Sequence, residues 1–284
     1  MALGHQGGGS TGGPSQRKQM VAFVSHGSPM VALADDDYTR ALRRFGAEAP
    51  RPRAVVCVSA HWQAPGPIRV SAAPRPSLIY DFSGFPPELY QLAYPAPGAP
   101  DLAAEVAARL ADGGVPAVLD PARGLDHGVW VPLRLLYPEA DVPVVAVSLP
   151  VPGAPADLLR AGAALAPLRD RDVLLLGSGG IVHNLGRLHA EDAPVEAWAR
   201  AFDDWVRARL EARDLEALVA YRSRAPHAAL AAPTTEHFDP LFVVAGSTAG
   251  DDRVVDVYQG FRHGTLSMRS LAFQPPAGRA AVYP

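Results

Sequence analysis

The stretch VAFVS at residues 21–25 runs straight into His26-Gly27-Ser28-Pro29. Short, apolar and β-branched, it predicts a buried strand that ends in a polar loop. The pattern recurs downstream. RAVVCVS (53–59) stops at Ala60-His61-Trp62, VPVVAVSLP covers 142–150, and DVLLLGSGG covers 172–180. Between these runs lie amphipathic stretches: a segment from Tyr38 to Phe45, then DLAAEVAARLAD (101–112), PADLLRAGAALAPL (155–168) and VEAWARAFDDWVRARLEARD (195–214). Uninterrupted apolar strands alternating with such helices define an α/β fold, a single domain with a mostly parallel central sheet covered by helices. IRVSAA (68–73) and TLSMRSLAF (265–273) alternate more and are expected as outer or antiparallel strands.

The chain has 284 residues, ample for one large core. Residues 1–19 are Gly/Ser-rich, carry His5 and read as a flexible tail; residues 20–284 form the expected catalytic, metal-binding α/β domain. Lys and Arg total 26 against 29 Asp and Glu, a net charge of −3, so no basic excess points to nucleic acid. No long apolar run points to a membrane and no leader is apparent, so a cytoplasmic location is expected. Nothing announces an interface, which leaves a monomer or small homo-oligomer. Lys18 is the only lysine, which excludes Schiff-base and Walker-type chemistry in the folded part. The single Cys57, inside an apolar strand, excludes a thiolate zinc cluster and reads as a buried structural residue.

The chemistry therefore falls to histidines. In open α/β sheets, ligands bind beyond the carboxyl ends of strands, where His26 and His61 both stand. Neutral imidazoles at equivalent strand ends are good ligands for zinc or ferrous iron, and neither belongs to HExxH. His127, in RGLDHGVWVPL, precedes a helix expected to start near Trp130 or Val131 with Pro132 in its first turn; it could touch a substrate oxygen or dioxygen. His183 follows the glycines of GSGGIVHN, which fail GxGxxG and are expected to form a flexible loop close to a ligand pocket. His237, with Glu236 beside it, precedes an Asp239-Pro240 helix start, and either of the two could bind metal. His189, His227 and His263 have weaker contexts, with His227 expected at a pocket mouth.

Taken together, SHGSP (25–29), SAHW (59–62), YDFSGFP (80–86), GLDHGVWVPL (124–133), GSGGIVHNL (177–185) and PTTEHFDPL (233–241) resemble the 4,5-DOPA-type branch of the class III extradiol ring-cleaving dioxygenases. The likeness runs from about Val21 to Phe273. It implies a non-haem Fe(II) enzyme that cleaves a catechol, DOPA-like or related, with O2, and that can hold Zn(II) when purified. It implies His26, His61 and His237 as metal ligands, and His183 as general acid–base or as a fourth ligand to zinc. His127 becomes a second catalytic histidine that contacts substrate or oxygen. The wider class presents two histidines and one carboxylate to iron, which leaves the third ligand open between His237 and Glu236. Tyr80, Phe82 and Phe85 could enclose an aromatic ring, and Arg222 and Arg224 could meet a substrate carboxylate. The alternative is a zinc-dependent hydrolase of a small amide or ester on the same scaffold, acting through a metal-bound water.

Overall fold

The computed structural model describes residues 18–276. Residues 1–17 of the expected tail, His5 among them, and residues 277–284 lie outside that range. The elements run β1 (Val21–Ser25), α1 (Asp37–Glu48), β2 (Ala54–Pro65), β3 (Ile68–Ser71), α2 (Pro100–Asp112), β4 (Ala117–Asp120), α3 (His127–Leu136), β5 (Val144–Val151), α4 (Pro155–Leu165) and β6 (Val173–Gly179). The long helix α5 (Ala197–Glu211) is followed by short turns of helix α6 (Leu215–Val219), α7 (Tyr221–Arg224) and α8 (Ala228–Ala231), then by α9 (Asp239–Gly246). The described chain closes with β7 (Arg253–Tyr258), the β8 (Phe261–Arg262) and β9 (Leu266–Ser267) ribbon, and β10 (Ser270–Gln274).

Eight strands form one sheet in the order β4-β3-β5-β2-β6-β1-β10-β7. The centre, β5-β2-β6-β1, is parallel, whereas β3 on one side and β10 and β7 on the other join antiparallel. The central strands are apolar on both faces, and their period of two sends successive residues to different layers. Val21, Phe23, Val56, Val58, Val145 and Leu175 pack with α2, α4, α5 and α9. Ala22, Val24, Val55, Cys57, Ala146 and Leu174 pack with α1 and α3. Cys57 is thus a buried core residue, and burial pushes its thiol well above the usual range. Buried Arg169 clasps Asp252 through two bonds of 2.7 and 2.9 Å and also donates to the Gln19 and Ser247 carbonyls, so the buried guanidinium is well paired.

Two boundaries differ from the sequence expectation. Helix α3 starts at His127, with Asp126 at its N-cap position, so Pro132 lies inside the helix and not in its first turn. The glycines of GSGG do not form a loop: Gly177 and Gly179 belong to β6. Their role is close approach, since a Cβ on Gly179 would lie 2.1 Å from the His237 carbonyl oxygen and one on Gly177 would lie 2.8 Å from that of Pro240. Replacing Gly179 with Ala is expected to destabilise the protein by about 1–3 kcal/mol, as overpacking does, and to push the His237 segment outward. Thermal unfolding of the variant beside wild type checks this.

Candidate metal centre

The parallel ladder brings strand ends together. Ser178 of β6 pairs with Ser59 of β2 on one side and Val24 of β1 on the other. His26 comes one residue past β1, and its N–H donates to the Gly179 carbonyl at 3.1 Å. Its Nδ1 lies 2.9 Å from Ser178 Oγ, and the Ser178 hydroxyl donates to the Gly128 carbonyl. That carbonyl is open because Pro132, four residues on in α3, has no N–H to give it. A hydroxyl carries one proton, so His26 Nδ1 must be the donor to Ser178, and Nε2 keeps its lone pair.

His61 does not follow β2 but lies within it. The strand advances from Val58 to Gln63 while β5 advances only from Val147 to Leu149, so the residues between bow out of the ladder. Ser59 Oγ fixes the bow by accepting the His61 N–H at 3.2 Å and donating to buried Asp126 at 2.6 Å. His237 stands just before α9, where its carbonyl accepts the Gly180 N–H at 2.7 Å. Its Nδ1 faces Glu236 Oε1 at 3.1 Å, so the glutamate lies behind the ring and Nε2 is left to bind.

One ligand nitrogen each from His26, His61 and His237 lie within 4.8 Å of one another. His26 Nε2 and His61 Nε2 are 3.0 Å apart. Metal–nitrogen bonds of about 2.0–2.1 Å at right angles put neighbouring donors roughly 3 Å apart, so the residues fit a divalent first-row metal such as iron or zinc. His127 and His183 join the same cavity. The His127 ring lies 4.0 Å from that of His61, and His183 stacks flat on His237 at 3.5 Å and 6°. A second group, His61, Asp81 and His127, also brings its donor atoms within 4.8 Å.

The cavity measures about 360 Å³, and Phe82, Phe85, Leu185, Leu188 and Leu266 give it apolar walls. Arg262 and His263 line it as well, and neither had been singled out for this place. Tyr80 packs behind Phe82 and Trp130 with its hydroxyl on the Leu92 carbonyl. His227 caps α8 in a left-handed conformation, Arg224 pairs with Glu216, and Arg222 lies over Tyr221; none of the three lines the cavity. Ser178 and Asp81 were both within reach of sequence reading, since they sit inside GSGG and YDFSGFP, but those motifs drew attention to glycines and aromatic rings.

Burial favours neutral imidazoles here. Burial, then the neighbouring His61 and His237, holds His26 well below its ordinary value. Burial, with His127 and His237 adding to it, pushes His61 down to about 3, and burial with His237 does the same for His183. For Asp81, partial burial acts upward, but contacts with His127 and His61 outweigh it and hold the carboxyl at about 2. Held neutral, His26 and His61 keep lone pairs for a metal, which binds only deprotonated donors.

Fold and site together define an α/β metalloenzyme with a histidine-rich centre at the carboxyl rim of its sheet. The sequence profile of the catalytic LigB subunit of aromatic ring-opening dioxygenases matches residues 13–271. The chain is 38% identical to a 4,5-DOPA dioxygenase extradiol of Beta vulgaris, over 88% of this chain and 95% of that one. It is 39% identical to one of Escherichia coli K12, over 90% and 95%. A crystal structure of an uncharacterised Escherichia coli K12 protein superposes with a TM-score of 0.77 at 35% identity, covering 90% of this chain and all of that one. The chain belongs to the class III extradiol dioxygenase family, close to its 4,5-DOPA dioxygenase-like branch. It is an extradiol enzyme that opens a catechol-like ring with O2, and ferrous iron is the cofactor this membership and the donor set call for. Oxygen chemistry thus prevails over the hydrolase alternative. No helix among the described residues is long and apolar enough to cross a membrane.

The histidine shifts set a pH dependence for the metal-free protein. Unfolded, His61 and His183 take up protons near 6.5; folded, they refuse them until about 3. Between these values the unfolded state binds more protons, so stability falls as pH falls. Chelator-treated protein is expected to lose melting temperature steadily from about pH 6.5 to about pH 4.5, and a His61→Gln/His183→Gln variant to show a shallower decline. Melting curves across that range measure both.

Proposed function

We propose that the enzyme cleaves a DOPA-like catechol, with His26, His61 and His237 holding one ferrous ion, His183 moving the proton and His127 contacting substrate or dioxygen. The observation that carries this reading is the gathering of three imidazole nitrogens within 4.8 Å in the wall of a mostly apolar cavity. The curated relatives named for 4,5-DOPA support the substrate class. Bound by these histidines, ferrous iron would bring the catechol and dioxygen together and relay electrons from the catechol to oxygen. The protein does the rest. Ser178 holds His26 Nδ1 and leaves Nε2 for the ion. Phe82 and Phe85 wall the ring pocket and exclude water beside it.

His183 lines the cavity beside His237, where its ring can meet a catechol hydroxyl, accept its proton and return it during ring opening. A permanent ligand could not do so, because its lone pair is committed. Were zinc to occupy the site, His183, stacked on His237, would be the fourth donor at hand. Arg262, at the cavity wall, takes over the role first given to Arg222 and Arg224: its guanidinium is suited to a substrate carboxylate, and Asp36 anchors it from behind. The reading extends to a cytoplasmic monomer or small homo-oligomer, and buried, unpaired Cys57 suits a reducing compartment.

The test is anaerobic loading with ferrous iron, followed by oxygen uptake and absorbance across a panel of catechols. DOPA-like catechols are expected to turn over, and zinc protein rigorously freed of iron is expected to give no cleavage. His26→Ala and His61→Ala should lose iron. His183→Ala should keep most of it and lose turnover by roughly 10²–10⁴-fold. Iron content as low in His183→Ala as in His61→Ala would make His183 a true ligand and pass the proton role to His127.

A further inference from the structure

The Tyr80–Phe85 loop carries the aromatic wall of the cavity, but it also carries a carboxylate that stands between two of the site's histidines. Asp81 Oδ2 lies 3.3 Å from His61 Nδ1 and 3.0 Å from His127 Nδ1. Asp81 Oδ1 accepts the backbone N–H of His127, the first residue of α3, at 2.9 Å. A carboxylate at a helix N-terminus is favourably placed, and this contact ties the loop to the helix. His127 Nδ1 is buried and, among the described residues, has no well-aligned hydrogen bond; the Asp81 oxygen is the acceptor within reach.

We propose that Asp81 is a positioning carboxylate shared by His61 and His127. It takes the Nδ1 proton side of both rings, which commits His61 Nε2 to the metal and turns His127 Nε2 into the cavity. This inference rests on the roles assigned to His61 and His127 above. One residue then sets two properties. It orients a ligand and raises its basicity, as carboxylates behind metal-bound histidines do. It also fixes the tautomer of a group that meets the substrate, as a buried carboxylate does behind a catalytic histidine. The same three side chains could be taken for a separate ion site, because their donor atoms lie within 4.8 Å of each other. Two features oppose that. Asp81 Oδ1 is already held by the helix N–H, and a second ion on His61 Nδ1 would require that ring to bind metal through both nitrogens at once.

The experiment compares wild type, Asp81→Asn, Asp81→Glu and His61→Ala. Metal affinity is read by chelator competition with zinc, and kcat and KM are read on the iron-loaded enzyme. Asp81→Asn keeps the shape but loses the charge, and is expected to weaken zinc binding by roughly 10–100-fold. It should also lower kcat at saturating iron by about tenfold or more, with KM changing less. Asp81→Glu should recover part of the metal affinity. In a His127→Ala background, Asp81→Asn should still weaken zinc binding by the same factor while adding little further loss of kcat. A residue that merely pins the Phe82–Phe85 loop would raise KM and leave zinc affinity unchanged, and that result overturns the proposal. So does a stoichiometry of two zinc ions per chain. Wild-type zinc affinity in His61→Ala would instead remove the underlying ligand assignment. Should Asp81→Asn not fold, nitrogen NMR of histidine-labelled, zinc-loaded wild type decides: both His61 and His127 should carry their proton on Nδ1, and an Nε2 proton on either ring refutes the shared role.

Discussion

The parallel pairing of β2, β6 and β1 is the constraint on which the site depends. A parallel ladder aligns strand ends of the same polarity, so residues far apart in sequence are delivered to one rim without any local motif. Ser59, Ser178 and Val24 stand in one row of that ladder, and His61 and His26 follow within two residues. The β10 strand closes the row antiparallel to β1 and returns the chain near Arg269, whose backbone carbonyl accepts the Ser25 hydroxyl at 2.8 Å. Nothing in this arrangement requires the metal to build the sheet, because the core on both faces is apolar.

The central strands could be read directly from sequence because each is short, apolar throughout, rich in Val or Leu and bounded by Gly, Ser or Pro, as strands of a sheet covered on both faces are. The three histidines whose nitrogens gather were legible for a related reason: His26 follows such a strand, His61 follows the apolar run that opens β2, and His237 stands in a quoted motif. What sequence could not show was the bow in β2. Its cause is a mismatch between two strands, from Val58 to Gln63 against Val147 to Leu149, and neither segment reveals it alone. Nor could it place Pro132. A proline inside a helix is normally unfavourable, but here the carbonyl it leaves open is taken by a serine from another element, a compensation visible only in three dimensions. Asp81 itself stood in a quoted motif, but its partners on β2 and α3 show only in the fold.

Both layers of the fold contribute to the site. His237 comes from the segment leading into α9, on one face of the sheet, and His127 from the first turn of α3, on the other. The close approach of β6 to the His237 backbone, made possible by Gly179, and the Ser178 bond to α3 hold the two layers to the same strand. The positions of the clustered histidines are therefore set by the packing of whole elements, with loops supplying the walls. Phe82, Phe85, Leu185 and Leu188 lie on such connections, where substrate preference can vary without disturbing the donors.

The wide spacing of the donors along the chain has a consequence in polymer terms. His26 lies near the start of the described chain and His237 near its end, with His61 on a third segment. An ion held by all three is a cross-link that closes loops spanning most of the polypeptide, and it exists only once those loops have closed. It adds nothing to folding until those distant segments have been brought together. Once seated, it acts as a non-covalent staple: unfolding must either expel it or keep three distant segments together. Binding of such an ion thereby adds to the resistance to unfolding that the core already supplies.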